Sequence, residues 1–147
     1  MWILRRLDNL GASRNELLDT YKQQILSIME YAAPVWTPAL TKIQINQIER
    51  VKRTAIYIIL GEEFTSYKRG LKQLGLETLE KRRRKLCTKF TLKASKHDKF
   101  SSWFVQNDNS DSRTRSRKQP YKIVETRTAK FKNSPLPYMT ELLNSLM

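Results

Sequence analysis

The chain predicts a mainly α-helical protein: a small helical domain with a basic C-terminal helix, then a flexible linker and a short irregular or helical tail. Three observations predict it. Apolar residues recur at spacings of three and four through the first hundred positions, the period of a helix with one buried face. Gly and Pro are scarce, 4 and 5 of 147 residues, and several of them stand where a helical pattern stops. Two Ser/Thr-x-x-Glu/Gln pairs have the spacing at which side chain and backbone satisfy each other at a helix start.

The elements follow in order. Trp2–Leu10 reads as a short helix closed by Gly11. Ser13 and Glu16 form the first capping pair, and the helix behind them is expected to bury Leu17, Leu18, Tyr21, Ile25, Ile28 and Met29. Pro34 and Pro38 are expected to end it, since neither supplies a backbone donor. Trp36 between them is expected to anchor the core where the two long helices meet. Thr41 and Gln44 form the second capping pair, and the next helix places Ile45, Ile48, Val51, Ala55, Ile58 and Ile59 on one side. Gly61 suits its left-handed C-terminal position. A connector with a short helical turn, Thr65–Gln73, leads through Leu74-Gly75-Leu76 to the basic helix. There Leu79, Leu86, Cys87, Phe90 and Ala94 fall on one face, and Arg82, Lys85, Lys89, Lys93 and Lys96 line a neighbouring stripe. Gln106–Gln119 has no periodicity and no apolar residue, Tyr121–Thr128 has weak strand character, and Tyr138–Leu146 reads as a short terminal helix after a turn framed by Pro135 and Pro137. The expected organisation is a helical domain over 1–104, a flexible basic linker over 105–120 and a tail over 121–147.

Charge is the main functional signal. The net charge is +14, and the segment from Leu79 to Phe100 holds nine basic and two acidic residues. A solvated helix face usually mixes both signs, so a one-sided excess calls for a polyanion, most commonly nucleic acid. Candidate phosphate contacts are Arg82, Arg83, Arg84, Lys85, Lys89, Lys93 and Lys96 on the helix, with Arg113, Arg115 and Arg117 in the linker. Phe100, Trp103 and Phe104 are aromatic residues that either stack on bases or pack.

Catalytic chemistry is poorly provided for. His97 and Cys87 are single, and ten residues of helix separate them by about 15 Å, too far for a shared metal or a nucleophile–base pair. Cys87 reads as a small buried apolar residue. The glycines are isolated, so no phosphate-cradling loop forms. Asp108 and Asp111 fall in the linker, away from any paired-metal arrangement. No catalytic residue, metal ligand or cofactor is expected. The longest apolar run, Ala55–Leu60, is too short to span a membrane. A single cysteine suits a reducing compartment, so the expected location is intracellular, cytoplasmic or nuclear. The N-terminus does not read as a secretory signal.

One set of residues carries a family likeness. Tyr21, Ile28, Tyr31-Ala32, Pro34-Val35-Trp36, Leu40-Thr41, Gln44 and Ile48-Glu49-Arg50-Val51 resemble the region beyond the catalytic palm in reverse transcriptases of non-LTR (LINE-type, jockey-like) retrotransposons. The likeness continues through Ile59-Leu60-Gly61, Tyr67, Leu74-Gly75-Leu76, Leu79-Glu80, Arg82-Arg83, Leu86-Cys87, Lys89-Phe90, Lys99-Phe100 and Trp103-Phe104. It ends with Arg127-Thr128 and Ser134-Pro135-Leu136-Pro137-Tyr138. In that family the segment corresponds to the thumb and a helical extension that hold the template–primer duplex. The palm's Asp-Asp motif does not occur here, and neither does the Cys/His zinc knuckle of some relatives. Met1–Leu7 looks like mid-protein sequence, so the chain resembles a detached C-terminal remnant. The resemblance therefore implies non-specific backbone binding to nucleic acid, whether RNA, DNA or a hybrid of the two, without polymerase activity. Tyr21–Gly61 is also similar to a short helical segment near the N-terminus of an AlkB-type tRNA-modifying oxygenase–methyltransferase. That oxygenase needs two histidines and a carboxylate on iron, and this chain has one histidine. The alternatives are a helical module that binds a protein partner through exposed apolar faces, and a transposon-derived reading frame without selected function.

Overall fold

The structure, a computed structural model, describes residues 1–107 and 119–146. Helices dominate them: α1 (Trp2–Asn9), α2 (Arg14–Thr20), a π-helical stretch (Tyr21–Leu26), α3 (Ser27–Glu30), α4 (Ala33–Trp36), α5 (Lys42–Leu60), α6 (Tyr67–Gln73), α7 (Leu79–Lys96), α8 (Ala129–Lys132) and α9 (Pro135–Leu146). The mainly α fold is as expected. Packing divides the chain into two compact units, Met1–Ala32 with Leu40–Arg83, and Ala33–Ala39 with Arg84–Met147. The division thus falls inside α7 and not at the expected boundary after residue 104.

The first unit is built on its helix starts. Ser13 accepts from the Glu16 backbone N–H while Glu16 accepts from that of Ser13, and Thr41 and Gln44 do the same for α5. Local chemistry alone sets these two starts. Leu4, Leu17, Tyr21, Leu26, Ala55, Ile58, Ile59 and Leu79 form the main core, and Ile56, Leu60 and Leu71 a second one on the other side of α5. With cores on two sides, the C-terminal half of α5 is buried almost all round, and the expected single stripe holds only in part: Val51 is exposed, whereas Lys52 is buried. The π-helical stretch explains a further difference. Its wider turn puts Tyr21 and Leu26, five residues apart, into the same core and turns Ile28 out to solvent. Gly70 lets α6 lie close on α5, since a Cβ there would stand 2.6 Å from the Ile56 Cγ2 methyl.

The break after α3 does not come from the prolines. Ala32 turns the chain with φ +50, while Pro34 and Pro38 sit within α4 and the following 3-10 turn, Thr37–Ala39. A helical first turn tolerates proline because its N–H has no intrahelical acceptor.

The second unit has a core of Ala94, Phe104, Met139 and Leu143, with Phe100, Tyr121 and Leu136 packed against it. α4 packs on α9, which places the half-buried Trp36 in this unit. The Asn144 amide donates to the Tyr121 carbonyl and accepts from its N–H, both at 3.0 Å. Among the described residues no strand forms at Tyr121–Thr128; Gln106 pairs with Tyr121 in an isolated antiparallel bridge. Asn107 N–H donates to the Pro120 carbonyl at 2.9 Å and Lys122 N–H to that of Val105 at 2.8 Å, closing the two ends of the expected linker onto each other. Its interior, with Arg113, Arg115 and Arg117, lies outside the described residues. The terminal helix starts earlier than expected, at Pro135, and includes both flanking prolines.

Candidate nucleic-acid interface

The basic helix α7 starts on a polar framework in the first unit. Thr78 Oγ1 accepts from the Lys81 backbone N–H at 3.3 Å. Glu49 Oε1 accepts from the Leu79 N–H at 3.4 Å and from the Tyr67 hydroxyl. Lys52, with 0% of its surface exposed, donates to the Glu77 carbonyl. Burial pushes the Lys52 ammonium below the usual lysine range, and the Glu49 carboxylate opposes that shift. Burial, with the Glu49 hydrogen bond adding to it, pushes the Tyr67 phenol up. Burial also raises Tyr21, helped by the charges of Glu30 and Glu49. Sequence reasoning missed this network. Its members come from α3, the π-helical stretch, α5, α6, the start of α7 and the segment before it. In the sequence only the place of Lys52, four residues from both Ile48 and Ile56, hints at it.

Along α7 the buried positions are Leu79, Arg83, Cys87, Thr91 and Ala94. Steps of four and three make this one face. Arg83, 2% exposed, stands four residues from both Leu79 and Cys87, so the inward face takes it out of the expected phosphate contacts. Phe90, expected inside, is partly exposed instead. Arg82 is also diverted. Its Nε and Nη2 both donate to Glu30, the second at 2.9 Å, and this pairing raises its pKa against the effect of burial. Arg84 is exposed, but it lies about 140° around the helix from Lys89.

The remaining stripe survives. Lys85, Lys89, Lys93 and Lys96 are exposed. The last three line an open groove of about 470 Å³ together with Leu92 and His97. One contribution to this placement is structural: cations in the last turn of a helix offset its negative end. Beyond Lys96, His97 Nδ1 accepts from the Lys99 backbone N–H at 3.2 Å. The His97 ring lies 5.2 Å from that of Phe100, and Phe100 lies 4.9 Å from Trp103. Phe104 is in the core, while Trp103 is 47% exposed. Leu92 and His97 were not expected at the site. Leu92 is three residues from Lys89 and His97 four from Lys93, a signal the sequence does contain.

Among the described residues no group of three or more His, Cys, Asp and Glu side chains is placed to hold a metal ion. Cys87 is buried. No helix among them is long and apolar enough to cross a membrane. Compared with protein-family models, with curated proteins and with solved structures, the chain matches none.

Proposed function

We propose that this chain binds the sugar–phosphate backbone of nucleic acids, with little sequence preference, through the exposed lysine stripe of α7. The observation that carries the reading is the convergence of Lys89, Lys93 and Lys96 on one open groove. Lys89 to Lys96 spans about 10 Å at 1.5 Å per residue, the axial rise of about three nucleotides of one strand. The likeness to the post-palm region of a LINE-type reverse transcriptase supports the same partner class. No chemistry is assigned to the chain, because the palm's paired aspartates are missing from its sequence.

The test replaces Lys89, Lys93 and Lys96 with Gln and measures affinity across a salt series. The parent should bind at about 50 mM salt, with log affinity falling linearly against log salt. The triple variant should bind more weakly, its slope smaller by about two to three units. An unchanged slope, or no binding by the parent, overturns the reading. A protein-binding module is the second reading, favoured by Trp2, Leu10, Ile28 and Tyr31, all large and mostly exposed in the first unit. Salt-independent association with a protein, surviving the triple substitution, would support it.

A further inference from the structure

We infer that the preferred ligand of the α7 groove is a single-stranded nucleic acid, RNA or DNA, one of whose bases stacks on Trp103. The inference rests on the backbone-binding reading and adds a ligand class to it. The groove is not purely cationic: Leu92 contributes apolar surface, and His97 contributes a ring to its wall. From His97 the rings step through Phe100 to Trp103, at 5.2 and 4.9 Å. Phe100 is half-buried against the unit's core, so it supports the outer ring. Trp103, on the 3-10 turn Ser101–Trp103, keeps nearly half its surface in solvent.

A run of lysines ending in a supported, exposed indole matches a strand that offers phosphates along one edge and unstacked base faces at another. A duplex offers the same phosphates, but its base faces are covered by their neighbours. A duplex base reaches Trp103 only after unstacking. The lysines should therefore serve both forms, and the indole only the single strand. Every base has a π-face, so sequence preference stays weak.

The experiment uses the full chain and fluorescence-labelled oligo-dT, oligo-rU and a blunt DNA duplex of equal phosphate number, all at one salt concentration. The parent should bind both single strands more tightly than the duplex. Trp103→Ala should weaken single-strand binding about fivefold or more and duplex binding less than twofold. Trp103→Phe, which keeps a ring, should restore most of the single-strand affinity. Intrinsic tryptophan emission should be quenched by oligo-dT in the parent and much less in Trp103→Phe, which covers the case in which the alanine variant fails to fold. Equal losses on single strand and duplex, or no quenching at Trp103, would overturn stacking while leaving backbone binding intact. No binding of any oligonucleotide would remove the underlying reading as well. A loss confined to oligo-rU or to oligo-dT would identify which of the two is the ligand.

Discussion

Arg82 and Lys89 share a helix and a sign of charge, yet the fold employs them differently. Arg82 reaches back to Glu30, whose side chain is only 14% exposed. Replacing Arg82 with Gln leaves that carboxylate largely shielded from water and without its cation. The expected cost is about 1–3 kcal/mol, the range for losing a hydrogen bond to a charged group. Urea unfolding should show this loss, while affinity for oligonucleotides should change less than twofold. Lys89→Gln should do the opposite, sparing stability and weakening binding. The periodicity of positive charge in the sequence identifies both as stripe residues. It does not reveal which cation has an anion waiting 52 positions upstream, because that pairing exists only after folding.

Individual helices show how far local rules reach. The starts of α2 and α5 are legible because a capping pair spans four consecutive residues and depends on little else. The stripe of Lys85, Lys89, Lys93 and Lys96 is legible for the same reason: helix geometry places it once the helix exists. The inward faces are less so. α5 is expected to bury one side and buries nearly all of its last turns, since cores form on two sides of it. The π-helical stretch shifts the register after Tyr21, and no local residue preference announces it. The contact of α6 with α5 offers a direct check. Gly70→Ala would improve helix propensity by about 1 kcal/mol at an exposed site. Here the added methyl meets Ile56 at 2.6 Å, and the overpacking term of about 1–3 kcal/mol opposes it. Net destabilisation is expected, read as a lower unfolding midpoint with an unchanged denaturant slope.

The chain as a whole should have an asymmetric pH profile. Tyr21 and Tyr67 have folded pKa values raised above the ordinary 10.0, both chiefly by burial. The folded state keeps those protons where the unfolded chain releases them, so their stabilisation is present below about pH 10 and is lost as pH rises beyond it. Lys52 works in the other direction. Its folded pKa lies below the ordinary 10.5 because of burial, so stability rises with pH between the folded value and the unfolded one. Unfolding midpoints measured through the alkaline range should therefore climb and then turn down above about pH 10. Tyr67→Phe should soften the downturn, and Lys52→Met should flatten the climb. None of this is visible in net charge, which registers +14 without registering which groups the fold has hidden.

Arg82, Arg83 and Arg84 are consecutive and chemically identical, but one is ion-paired, one buried and one exposed. An arginine-selective dicarbonyl reagent should tell them apart by rate. Arg84 should be modified about as fast as free arginine, Arg82 only as its ion pair opens, and Arg83 only as the surrounding structure opens. The tripeptide is thus a clock with three hands. Its fastest hand follows solvent, the next follows one ion pair, and the slowest reports how often this part of the protein comes apart. Mass spectrometry of a single peptide would read all three, and mild denaturant should speed Arg83 most.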